Sequence, residues 1–294
     1  MLDIRHFHVV FTLPAELRPL AAFAPRVVYN TLLRATARTL LGFGKSHLGG
    51  TLGATLVLHT WTRDLRLHPH VHAIVTSGAL SADGQWLAAH DKFLFPVRAL
   101  GVVLRAKMLA ALAKAYRDRA FDGFADFADP LGFDHLMQRA AKAPYWYVFA
   151  KPSFEHGRDV VGYLGRYTHR VGISNSRLLA YSLHKVTFRT KNGHTKTLAP
   201  VEFLRRFVAH VLPDGLHKIR HLGLYASACR KRRQRARACL GGTVCPRTTP
   251  LDWRAKLLAL TGRDPGICPR CGGPLFTITV IVARARDPPS GAPA

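Results

Sequence analysis

Three histidines alternate in the segment Leu67-His68-Pro69-His70-Val71-His72. On an extended strand, residues two apart share a face, so this spacing can present three imidazoles to one divalent ion. A cation on neutral imidazoles does Lewis-acid and positioning work at a phosphate, whose non-bridging oxygens gain charge during displacement. The same spacing also suits a histidine that itself attacks phosphorus. The row alone leaves both chemistries open.

A second constellation lies in Val160-Val-Gly-Tyr163-Leu-Gly-Arg-Tyr167-Thr-His-Arg170. Tyr163 and Tyr167 are four apart, so on a helix their phenols share a face. Such pairs more often pack than react, but the surroundings favour chemistry. Gly162 and Gly165 each cost a helix interior about 1 kcal/mol relative to alanine, so a close approach must need their small size. Arg158, Arg166 and Arg170 surround the phenols with positive charge, which holds phosphate and favours phenolate. A tyrosine hydroxyl that attacks a phosphodiester displaces a 3′-hydroxyl and leaves a 5′-phosphotyrosyl link. That covalent intermediate retains the bond energy, so the break can be rejoined elsewhere without a cofactor. Two tyrosines permit two linked transesterifications.

The elements that must carry these groups are legible in outline. His6 to Leu13 reads as a strand ended by Pro14. Pro25 to Leu41 is apolar at helical spacing, with Gly42 and Gly44 as stop signals. Thr55 to Trp61 and His70 to Thr76 suit an antiparallel pair, followed by a turn at Gly78, Asp83 and Gly84. Val97 to Ala120 is a long helix. Tyr145 to Lys151 is an aromatic strand stopped by Pro152, and the tyrosine helix should follow from about Asp159 to about Arg170. Lys185 to Thr190 and Lys196 to Leu198 form a hairpin around Asn192-Gly193. Pro200 opens a helix with an apolar face of Phe203, Phe207, Val208 and Val211, and a short amphipathic stretch follows at Trp253 to Leu260. Mixed, hairpin-linked elements indicate an α+β fold rather than a doubly wound parallel sheet.

Composition bounds the partner. The 294 residues are 48% hydrophobic and 20% charged, a globular balance, yet the formal charge is +26. An excess of that size implies a polyanion, most simply nucleic acid. It is densest in Arg230-Lys231-Arg232-Arg233-Gln234-Arg235-Ala236-Arg237, expected to track phosphates; Lys151 is a further candidate. Tyr145, Trp146 and Tyr147 could stack unpaired bases, with alternate members in the core. No signal peptide or membrane-length apolar run is visible, so a cytoplasmic, nucleoid-associated protein is expected.

At these residues the chain resembles a known family. His70-Val-His72 is similar to the His-hydrophobe-His metal motif of HUH-superfamily single-strand endonucleases, and Tyr163-x-x-x-Tyr167 to their two-tyrosine subgroup. Together with His6-Phe-His-Val-Val-Phe-Thr-Leu-Pro14, Ile173-Ser-Asn-Ser-Arg-Leu178, Phe203-Leu-Arg-Arg-Phe207 and His221-Leu-Gly-Leu224, these strings resemble the IS91/IS801-type transposases from about residue 5 to residue 225. The resemblance implies a palm-like sheet carrying the histidines, rolling-circle-like transposition through single-stranded DNA, Mg²⁺ or Mn²⁺ on His70 and His72, and Tyr163 and Tyr167 as nucleophiles. His68 or His169 is then the third metal ligand. Such transposases commonly carry a cysteine-rich zinc-binding module ahead of the first strand, and this chain begins almost at that strand.

A catalytic domain over 1–225 and a basic, cysteine-containing extension over 226–294 are therefore expected. Cys268-Pro-Arg-Cys271 is half of a zinc knuckle, short of two ligands. His59, His184, His194 and His217 read as ordinary polar residues. Two rival functions remain: a histidine-triad nucleotide hydrolase, and an inactive nucleic-acid-binding remnant of a transposase.

Overall fold

Period-two alternation decides which way the sheet faces. The computed structural model describes residues 1–123, 130–144, 146–156, 159–160, 162, 173–242 and 252–275. Among them the strands, in chain order, are β1 (His6–Thr12), β2 (Thr51–Trp61), β3 (Leu67–Leu80), β4 (Trp86–Ala88), β5 (Val148–Phe154), β6 (Leu178–Tyr181), β7 (Val186–Arg189), β8 (Thr195–Leu198) and β9 (Ile219–Gly223). The main sheet runs β5-β1-β3-β2-β9, with β4 paired to β3, and every pairing is antiparallel. Phe7, Val9 and Phe11 of β1, Leu52, Ala54, Leu56 and Leu58 of β2, and Val71, Ala73 and Val75 of β3 are buried in one core cluster. Each large side chain there contributes about 1.5–3 kcal/mol of transfer free energy. A one-residue slip of β3 would expose its apolar set and push the histidines into the core, so burial fixes the register.

The helices α1 (Arg18–Phe23), α2 (Pro25–His47), α3 (Val97–Arg117) and α4 (Pro130–Lys142) supply the other half of that core. This is the expected α+β arrangement of an antiparallel sheet packed by helices. Helix α2 runs past Gly42 and Gly44, both read from sequence as stops. A Cβ on Gly44 would lie 2.9 Å from the Leu52 side chain, so the glycine serves helix-to-strand packing. Pro152 likewise sits inside β5, which pairs only with β1 and leaves its missing N–H on the open edge. Helix α4, not anticipated from sequence, buries Phe133, Leu136 and Ala140.

Strands β6, β7 and β8 form a separate antiparallel sheet. Its β7–β8 turn carries Asn192 and Gly193 at positive φ, as the Asn-Gly signal implied. Helix α5 (Pro200–Val208) sets Phe203 edge-on against Phe188, while Val208 and Val211, expected on its packed face, are exposed. By compactness the chain divides into Met1–Val244 and Cys245–Ala294. Helix α6 (Arg230–Cys239), which begins just past the expected division at residue 225, packs within the first unit: Ala236 is buried with Leu2, Leu80, Leu224 and Tyr225. The second unit contains α7 (Trp253–Thr261), capped at its start by the Asp252 side chain.

Gly223 closes β9 in the left-handed region at φ 54°, and a Cβ there would lie 1.9 Å from the Leu52 carbonyl oxygen. Gly223→Ala should therefore lower stability by at least about 1–2 kcal/mol, measured by urea denaturation. An unchanged midpoint would contradict this account of the β2–β9 edge.

Candidate metal centre on the open face of the sheet

With the apolar positions of β3 committed to the helices, its even-numbered residues face the other way. Antiparallel pairing puts His70 directly opposite both Thr12 and His59, and His72 opposite Val10 and Val57. Three imidazoles converge as a result. Each of His59, His70 and His72 offers a nitrogen, and these nitrogens all lie within 4.8 Å of one another. The ring of His59 is 4.4 Å from that of His72 and 5.4 Å from that of His70. His59, read from sequence as an ordinary polar residue, thus stands in the cluster. Its signal was the antiparallel pairing, which places it across from His70.

His68 lies outside this group. Between the pairs His59↔His70 and Trp61↔Leu67, β3 holds one residue more than β2. The extra residue is a bulge at His68-Pro69, and the His68 ring still lies 5.2 Å from that of His70. The Arg18 guanidinium donates to His68 Nδ1 at 3.1 Å. The other proposed third ligand, His169, lies outside the described residues.

The cluster is built to remain neutral. Burial, joined by the charges of His59, His70 and His8, pushes the His72 imidazole down to about 2. Burial and then His70, Lys218 and His8 push His59 down to about 3. His8 and His68 are held near 4, again first by burial, with Lys151 acting on His8 and Arg18 and Arg66 on His68. Burial also lowers His70. Lys151, Lys218, Arg18 and Arg66 are the cations whose charges lower these imidazoles.

Hydrogen bonds orient the ligand atoms. His70 Nδ1 donates to the His68 carbonyl at 2.7 Å, which leaves its Nε2 lone pair available. His8 Nε2 and His72 Nδ1 are bonded at 2.7 Å, and their rings stack 4.9 Å apart. Neutral, convergent nitrogens are what a divalent ion requires, so the residues fit a metal. An all-imidazole set suits a first-row transition ion better than Mg²⁺, whose ligands are oxygens.

Residues 53–233, more than half of the chain and inclusive of every residue of this cluster, match the family model Y2_Tnp, described as "Putative transposase". The chain belongs to this transposase family. It is 39% identical to "Putative transposase y4qJ" of Sinorhizobium fredii over 96% of this chain and 75% of that protein. It is 28% identical to "Transposase for insertion sequence element IS801" of Pseudomonas savastanoi pv. phaseolicola, over 93% of this chain and 67% of that one. The resemblance to IS91/IS801-type transposases is thereby borne out, and the nucleotide-hydrolase reading gains no support. Among solved structures, the conjugative relaxase TrwC in complex with oriT DNA, in a metal-bound form, is 21% identical over 37% of this chain and 43% of that one, at a TM-score of 0.30. A likeness that slight carries no argument.

Other residues expected to serve this transposase-family chain divide unevenly. Tyr163, Tyr167, Arg158, Arg166 and Arg170 lie outside the described residues; of their segment Asp159, Val160 and Gly162 are helical. Lys151 is exposed on β5, opposite His8. On α6, Arg230, Lys231 and Arg232 are exposed, whereas Arg233 donates to the carbonyls of Leu224 and Ala226 at 3.2 and 3.5 Å. Arg233 therefore fastens the helix to the end of β9. In the second unit Cys268 and Cys271 share a tight turn in which Cys268 N–H donates to the Gly273 carbonyl. Backbone N–H groups of Arg270 and Cys271 aimed at its sulfur pull the Cys268 thiol down. No third ligand joins them among the described residues. None of the described helices is long and apolar enough to cross a membrane.

Two outcomes follow from these environments. Folding holds His6, His8, His59, His68 and His72 neutral well below the ordinary imidazole value of 6.5. Their contribution is intact above pH 6.5 and is lost as pH falls toward 4, at on the order of 1 kcal/mol per pH unit for each fully buried imidazole. Thermal melts in chelator should show the midpoint dropping through that window; a flat profile would count against neutral burial. On α6, Arg233→Ala should cost about 1 kcal/mol of stability. Arg232→Ala should leave stability intact but flatten the salt dependence of DNA binding.

Proposed function

We propose that this protein cleaves and rejoins single-stranded DNA during rolling-circle-like transposition, with Tyr163 and Tyr167 as nucleophiles and His59, His70 and His72 holding a divalent ion. The convergence of three neutral imidazoles beside Lys151, Lys218 and Arg18, in a chain of a transposase family, carries this reading. In the first step a tyrosine oxygen forms a bond to phosphorus, the P–O3′ bond breaks, and the departing 3′-oxygen takes a proton. In the second, a 3′-hydroxyl of another strand attacks the phosphotyrosyl phosphorus and the phenol is regenerated. Bond count is conserved, so no nucleotide cofactor is consumed.

When bound, the ion supplies charge stabilisation at the non-bridging oxygens of the scissile phosphate. The chain's own residues do the rest. His70 Nδ1–H, tied to the His68 carbonyl, keeps Nε2 as the ligand atom, and the bond between His8 Nε2 and His72 Nδ1 orients the His72 ring. Lys151, Lys218 and Arg18, whose charges bear on the imidazoles, attract the phosphate backbone toward the site. The exposed Arg230, Lys231 and Arg232 extend that attraction along α6. Cys268 and Cys271 supply two of the four ligands of a structural Zn²⁺. The setting is the cytoplasm, on nucleoid DNA.

Mn²⁺ titration calorimetry should show at least about tenfold weaker binding for His59→Ala, His70→Ala and His72→Ala. His68→Ala should change it little, and His8→Ala should cost about 10- to 100-fold. With labelled single strands and Mn²⁺, the wild type should form a covalent protein–DNA adduct that the Tyr163→Phe/Tyr167→Phe variant does not. Adduct formation by that double variant would overturn the tyrosine assignment, and wild-type metal affinity in His59→Ala would remove His59 from the site.

A further inference from the structure

The aromatic segment 145–149 is only partly absorbed by the core. Trp146 is buried, its indole N–H donating to the Ala140 carbonyl, and Val148 and Ala150 pack toward the helices. Phe149 does the opposite. It pairs with Val10, which pairs in turn with His72, so it stands on the histidine-bearing face with 55% of its surface exposed. Two residues along the same strand and face, exposed Lys151 pairs with His8, the hydrogen-bond partner of His72. Two strand spacings, roughly 10 Å, separate Phe149 from His72.

An isolated exposed phenylalanine is ordinary on a protein surface. This one differs in its neighbours. Among the described strands β5 is the edge of the sheet. Among the described residues, the cations Lys151, Lys218 and Arg18 act on the imidazoles of this face and suit a phosphate. An exposed aromatic ring beside a cation, level with a metal centre, matches a nucleotide with an unpaired base: π-face on the ring, phosphate on the amine.

We propose that Phe149 and Lys151 form a subsite for one unpaired nucleotide of the strand being cleaved, with Phe149 stacking its base and Lys151 holding its phosphate. This rests on the single-strand reading above and adds what sets the strand's path across the sheet. A duplex cannot use the subsite, because its bases are stacked on each other. The preference for single strands then originates at the edge strand as well as at the nucleophile.

The test is fluorescence anisotropy with labelled oligothymidylate and an abasic strand of equal length, in Mn²⁺. Phe149→Ala should weaken oligothymidylate binding roughly ten- to a hundredfold, and Phe149→Trp should restore it. On the abasic strand Phe149→Ala and wild type should bind alike. Lys151→Gln should reduce the slope of log affinity against log salt by roughly 0.7 on both strands. Calorimetric Mn²⁺ affinity should be unchanged in Phe149→Ala and Phe149→Trp, which separates a lost subsite from a damaged fold. Equal oligothymidylate affinity for Phe149→Ala and wild type overturns the subsite while leaving cleavage intact, and so does an equal loss on the abasic strand. A wild type that binds no single strand overturns both readings.

Discussion

The antiparallel pairing of β2 with β3 is the constraint on which the rest depends. Val71, Ala73 and Val75 must meet the helices, and β2 must present Leu52, Ala54, Leu56 and Leu58 to the same core. Once both demands are met, His59 has to lie across from His70, and His72 one step further along the same face. The centre is thus a by-product of core packing on the reverse side of the sheet. Its precision comes from the apolar face, where a shift of one residue would exchange a buried valine for a histidine.

Electrostatics then gives this face its character. Burial among like charges keeps the imidazoles neutral, which preserves the lone pairs a cation needs. Among the described acidic residues, Asp64 pairs with Arg66 and Lys196, and Glu155 with Arg5. The cations Lys151, Lys218 and Arg18 acting on neutral imidazoles give the described part of this face a potential that favours a polyanion.

The basic helix shows how charge counts mislead when read without contacts. Arg233, Arg235 and Arg237 each donate to main-chain carbonyls, of Leu224, Gly84 and Met1, so part of the Arg/Lys run is structural. Beneath it, His6 Nε2 and the Tyr225 hydroxyl meet at 2.6 Å in the core. The helix is thereby fixed to the same β2–β9 edge that flanks the histidines.

Much of the fold was legible because local pattern and tertiary demand agree. The strands β1, β2 and β3, the Asn-Gly hairpin and the helices opened by Pro25 and Pro200 all follow from periodicity and turn chemistry. Gly44 and Pro152 were misread because their meaning depends on a neighbour, the Leu52 side chain in one case and an unpaired edge in the other. For the site, the sequence by itself indicated that His70 and His72 share a face, that a polyanion is the partner, and that two tyrosines four residues apart are candidate nucleophiles. Only the tertiary structure decided that His59 joins the cluster, that His68 is bonded by Arg18 outside it, and that Phe149 faces the histidines. Alternation is a property of one strand; which strand lies beside it, in what register, and where an extra residue interrupts the ladder are properties of the packed sheet.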